Sequence, residues 1–167
     1  MPTEVPLTDD RRPLAEETLD PEDWDAMRRL GHQMVDDMLD WLATVRERPV
    51  WQAVPEDVLE KLHRPLPQEG ESPEAVYQEF LENVRAYPMG NIHPRFWGWV
   101  MGNGTALGML AEMLAAGMNP NLGGGQHVAI HVERQVMDWT KTMLGYPASA
   151  SGLLTSGASE ANLLGLG

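Results

Sequence analysis

Residues 153–167 read LLTSGASEANLLGLG, and this stretch decides what kind of fold the chain enters. Two leucines behind Gly152 read as an apolar strand. Thr155, Ser156, Gly157, Ala158 and Ser159 form a turn of small residues, and a helix opens after it. Small side chains let backbone N–H groups come close to a ligand. A helix N-terminus adds unpaired donors and partial positive charge. Ser156 and Ser159 add hydroxyls. Such a turn can hold a phosphate with few cations, which suits a chain whose only lysines are Lys61 and Lys141. The plainer alternative is that Ser156 or Ser159 merely caps the helix. A single strand cannot satisfy its own backbone groups, and no other clear strand is visible in the sequence.

Upstream, HVAIHVERQVMDWTKTMLG (127–145) predicts an amphipathic helix with Val132, Val136, Trp139 and Met143 on its apolar face. Gly145 is placed to cap it and Pro147 to stop it. NPNLGGGQ (119–126) is a loop that can take unusual backbone angles. ALGMLAEMLAAGM (106–118) has Glu112 as its only charge and reads as a helix buried on all sides. MGNIHPRFWGWVMGNGTA (89–106) is aromatic and glycine-rich, and Pro94 pushes His93 toward extended backbone. His127 and His131 stand four residues apart near Glu133, a spacing zinc can use. No third ligand accompanies them, so no metal site is assigned.

Toward the N-terminus the chain is helical. In SPEAVYQEFLENVRAYP (72–88), Ser72 is a predicted N-cap and Pro73 the first helical residue. Val76, Phe80 and Val84 should share its inner face, and Pro88 ends it. A short helix is expected at 55–63. PEDWDAMRRLGHQMVDDMLDWLATVRER (21–48) predicts a long helix with Asp20 as N-cap and Pro49 as stop. Trp24, Met27, Gly31, Met34, Met38, Trp41 and Val45 alternate at spacings of three and four. That seam fits packing within one domain or against a partner subunit.

Composition narrows the function classes. The chain has 167 residues and a formal net charge of −13, from 25 acids against 12 Lys plus Arg. Such a balance repels phosphate backbones and argues against nucleic acid. Without cysteine there is no disulfide framework or thiolate metal site. No apolar run is long enough for a membrane span, and the polar N-terminus lacks a secretory h-region, so a cytoplasmic location is the default. Eleven methionines and six tryptophans suggest broad apolar contact surfaces.

Four segments taken in order carry a family resemblance. HPRFWGWV (93–100), LGMLAEMLAAGMNPN (107–121), VERQVMDWTKTMLGYP (132–147) and GLLTSGASEANLLGL (152–166) resemble the group II pyridoxal-phosphate-dependent decarboxylases, which act on aromatic amino acids, tyrosine, histidine or glutamate. The resemblance covers about residues 22–167. It implies an α/β enzyme of the fold-type I PLP transferases, mostly helical over this chain, with the first strand of the large-domain sheet near residue 153. It implies a helical dimerisation segment at 21–90 and the start of the PLP-binding domain at 91–167, while residues 1–20, polar and with three prolines, read as a flexible arm. Pyridoxal 5'-phosphate would be held through its phosphate by Ala158 and Ser159, beside Ser156 and Gly157. His93, Trp97 and Trp99 match the segment lining the substrate pocket. Asn121, Leu122 and His127 match a loop that reaches into the neighbouring subunit's site. In aromatic-amino-acid members that loop is bulky, whereas here it holds Gly123, Gly124 and Gly125.

PLP chemistry also needs an aldimine lysine and an acid at the pyridine nitrogen. Lys61 and Lys141 sit in helices with no cofactor context, and in the family these groups fall beyond the position of Gly167. The chain is therefore expected to be an N-terminal portion: truncated, split or partly recorded. On this reading it supplies phosphate cup, pocket wall and dimer arm, with a homodimer partner or the remaining part of a split chain completing a decarboxylase for a small-molecule L-amino acid, an aromatic one first. Two other readings stand beside it. One is a fold-type I carbon–carbon lyase acting on phosphorylated amino alcohols. The other is a non-catalytic helical dimerisation module.

Overall fold

The computed structural model describes residues 18–166. Most of the arm expected over residues 1–20 therefore lies outside the described residues. Two compact units divide the chain, one through Ala106 and one from Leu107.

In the first unit, helix α1 spans Trp24–Ala43. Its N-cap is Asp23, not Asp20: Asp23 Oδ1 accepts from the amides of Asp25 at 2.8 Å and Ala26 at 3.0 Å. A carboxylate satisfying two orphan amides fixes the start of the helix and leaves Pro21 outside it. The helix gives way to a 3-10 turn, Val45–Glu47. Of its residues only Leu30 is buried, while Trp24 and Met34 of the methionine–tryptophan seam are exposed.

Helix α2 is Glu56–Leu62, and it buries Val58. Helix α3 is Pro73–Glu79, capped as expected by the Ser72 hydroxyl, which accepts from Ala75 N at 3.2 Å. It runs on as a π-helical turn, Phe80–Val84, closed by Arg85 N donating to Phe80 O at 2.8 Å. The buried face differs from the expected one. Tyr77 and Asn83 are buried, and the expected inner residues Val76 and Val84 are exposed. An i→i+5 turn inserts about one residue into the helical period, so an α-helical reading runs out of register there. The buried Tyr77 hydroxyl donates to Asp37 Oδ2 of α1 at 2.7 Å, which ties the two helices across 40 positions of sequence. Gly90 packs its backbone against Val50. Its φ is +90°, and a Cβ there would stand 2.0 Å from Val50 O, so only glycine fits.

The second unit holds α4, Ala106–Met118, most of which follows the boundary, α5, Val128–Leu144, and α6, Ala158–Leu166. Gly145 caps α5 in the left-handed region at φ +73°, as the sequence requires. No residue of these three helices is buried. Helix α4 is thus not the covered core helix its composition suggests, and Val132, Trp139 and Met143 of the expected α5 face are exposed. The strand expected around Gly152–Thr155 is not formed: residues 150–155 have no regular secondary structure, and no strand occurs among the described residues. An extended segment becomes a strand only beside another, and here its partner is a helix. No helix among the described residues is long and apolar enough to cross a membrane.

Candidate functional site

Helix α5 holds the segment that leads into the small-residue turn. Glu133 Oε1 accepts from Leu154 N at 3.2 Å. One α-helical turn on, Met137 lies under Gly152, where a Cβ would come within 3.2 Å of the sulfur. A further turn on, Lys141 Nζ donates to Ala150 O at 3.0 Å and Ala148 O at 3.4 Å, and pairs with Asp138 at 2.7 Å. Residues four apart share a helix face, so one edge of α5 fixes the path of residues 148–154. Apolar periodicity does not reveal this role, because the contacts are mainly polar.

The turn itself is organised by Glu160. Its carboxylate accepts from Ser156 N at 3.0 Å and Ser156 Oγ at 2.6 Å. These bonds, the hydroxyl's first and the amide's second, hold the Glu160 carboxyl below the usual carboxylate range. Thr155 Oγ1 donates to Gly157 O at 3.1 Å, and that carbonyl also takes the first helical bond, from Ala161 N at 3.0 Å. The amides of Ala158, Ser159 and Glu160, and the Ser159 hydroxyl, have no hydrogen-bond partner among the described residues. Both Ser156 donors are thereby engaged, while Ala158 and Ser159 present free ones. A Cβ on Gly157 would meet nothing within 4 Å, so the approach is open. Free amides at a helix start with a neighbouring hydroxyl suit a phosphate group.

The other candidate residues fall in two places. In the first unit His93 is buried, and its Nδ1 accepts from Arg95 N at 3.0 Å. That leaves the ring proton on Nε2, which has no partner among the described residues. Trp97 and Trp99 of the same segment stand in the open, Trp97 at 92% exposure. Trp99 has φ +50°, a sparsely populated region for a bulky side chain. In the second unit Asn121 O accepts from His127 Nε2 at 2.8 Å, since a carbonyl can only accept, and Asn121 Oδ1 accepts from Gly123 N at 2.8 Å. These bonds close the glycine loop over a cavity of about 370 Å³ that reaches Gly124 and Val128. Leu122 is exposed.

Residues 55–166 match the pyridoxal-dependent decarboxylase conserved domain. The chain belongs to that family. It is 35% identical over 143 residues to the aromatic-L-amino-acid decarboxylase of Bacillus atrophaeus, an alignment covering 84% of this chain and 30% of the relative. To the phenylacetaldehyde synthase of Arabidopsis thaliana it is 30% identical over 160 residues, covering 87% and 32%. The chain thus spans about a third of the length of these curated relatives. Its fold is shared with Oryza sativa TDC, solved with PLP and tryptamine, at a TM-score of 0.66 and 22% identity, over 81% of this chain and 28% of that one.

Proposed function

We propose that the protein carrying this chain is a PLP-dependent decarboxylase of aromatic L-amino acids. The observation that carries this is the family match over residues 55–166. The unpartnered amides of Ala158 and Ser159 in the small-residue turn support it. When bound, PLP supplies the electron sink for loss of the carboxylate. This chain's contribution is positional. Ala158 and Ser159 hold the phosphate by their amides and the Ser159 hydroxyl. Glu160, through Ser156, keeps the turn in shape. His93 offers its Nε2 proton, and Trp97 and Trp99 supply aromatic wall to the substrate. Asn121, Leu122 and His127 present their loop to the neighbouring subunit.

The architecture follows the same reading. Residues 21–90 serve as the dimerisation segment, and residues 91–167 open the large PLP domain, whose α/β sheet would turn residues 152–155 into a strand. The exposed Trp24 and Met34 on α1, and the uncovered leucines of α4 and α6, support a homodimer in which other polypeptide covers them. The protein is proposed to work in the cytoplasm.

The test uses the full-length protein. Incubation with PLP and L-tryptophan, L-tyrosine or L-phenylalanine should release CO2 and the corresponding amine. Ser159→Ala should weaken PLP binding roughly tenfold, the size of one lost charge-assisted bond. Unchanged amide exchange at residues 156–160 on adding PLP would refute the cofactor reading and favour a helical association module. The Arabidopsis relative keeps a second outcome in view: an aldehyde product in place of the amine would assign the chain to the synthase branch.

A further inference from the structure

A cavity of about 180 Å³ lies in the first unit, between the end of α1 and the end of the π-turn, and none of the site residues assigned above lines it. Arg48 and Arg85 both line it, and no Asp or Glu does. In a chain with 25 acids and 12 Lys plus Arg, two guanidinium groups sharing one acid-free cavity stand out against the average. Neither has an ion-pair partner among the described residues.

Arg48 is fixed in place. Its guanidinium lies 4.5 Å from the centre of the Trp41 ring and donates to Trp41 O and, at 2.9 Å, to Thr44 Oγ1. Burial first, and then the charge of Arg85, push its pKa down, with Glu47 acting the other way. Two like charges held close are stabilised by an anion between them. The walls are largely apolar, with Leu81 and Pro88 among them, and Trp51 stands at the cavity with 65% of its surface exposed. Guanidinium forks match carboxylate geometry, and a cavity of about 150 Å³ holds one benzene ring.

We propose that this cavity is an anion site for a small aromatic carboxylate, its carboxylate between Arg48 and Arg85 and its ring against Trp51. The site is built only from residues of the first unit, and it does not depend on the decarboxylase reading.

Calorimetric titration of the PLP-saturated full-length protein with benzoate tests it, with benzyl alcohol as the uncharged analogue and inorganic phosphate as the anion without a ring. Benzoate should bind saturably and benzyl alcohol should not. Arg85→Gln should weaken benzoate roughly tenfold or more, the size of a lost charge-assisted pair. Trp51→Ala changes an exposed residue and leaves the fold in place if Arg85→Gln does not; it should weaken benzoate while leaving phosphate unaffected. Absence of saturable benzoate binding overturns the proposal. So does equal binding of benzyl alcohol, phosphate binding as tight as benzoate, or benzoate affinity unmoved by either substitution.

Discussion

Helices α1 and α4 are both rich in Leu and Met, yet they meet different fates. Helix α1 buries Leu30 and accepts the Tyr77 hydroxyl on Asp37, so part of its surface is claimed within its own unit. Helix α4 buries nothing, and Leu114 remains 64% exposed although the helix is apolar nearly all round. Hydrophobicity states that a face is better covered; it does not state by what. What distinguishes α1 is a specific long-range anchor, a buried tyrosine that needs an acceptor and finds one across the helix pair. In the second unit order comes instead from polar contacts between α5 and the backbone of residues 148–154.

Four measurements can break or sharpen this contrast. The largest effect is expected at Gly90. Gly90→Ala places a Cβ against Val50 O at a positive φ, and should lower the stability of the first unit by about 4 kcal/mol in urea denaturation. Next, Leu30→Ala should cost about 3 kcal/mol as a buried truncation. Leu114→Ala in the 167-residue chain should stay within about 0.5 kcal/mol. Equal losses at both positions would mean that α4 is covered after all and would erase the difference between the units.

Tyr77→Phe should cost about 1 kcal/mol through the lost bond to Asp37. The same tyrosine supplies a pH signature. Burial first, then the hydrogen bond and charge of Asp37, push its pKa up to about 12. The folded state therefore holds the phenolic proton more tightly than the unfolded chain, whose tyrosines titrate near about 10. This contribution is full below that unfolded value and is lost as pH rises toward the folded one. Ultraviolet titration should show a late-ionising tyrosine, and Tyr77→Phe should remove that late component. The smallest effect belongs to Glu160. Its carboxyl is held low, so its support for the turn is present above the ordinary carboxylate pKa and fades as pH falls through the folded value. Amide exchange at Ser156 should quicken in acid, and Glu160→Gln should abolish that pH dependence; an unchanged acid response would remove Glu160 from its organising role.

Much of the local structure was legible in advance because its causes are local. Ser72 and Pro73 start α3, Gly145 ends α5, and the small-residue turn opens α6, each through side chains within a few residues of the helix end. Asp23 displaced Asp20 as the first cap because a shift of three residues leaves composition unchanged while changing which amides a carboxylate can reach. The small-residue turn was legible as a set of residues. Its division of labour was not: Glu160 engages Ser156 and leaves Ala158 and Ser159 free, a matter of side-chain reach.

The sequence by itself determined the helical punctuation, the acidic character and, through its ordered motifs, the pyridoxal-dependent decarboxylase family. These depend on neighbours along the chain or on patterns that survive without coordinates. Only the tertiary structure decided that a π-turn would bury Asn83 in place of Val84, that Lys141 would clamp a backbone segment, and that Arg48 and Arg85 would line one cavity. Each of these sets residues distant in sequence side by side or shifts a helical register by one position, and helical periodicity carries no information about either.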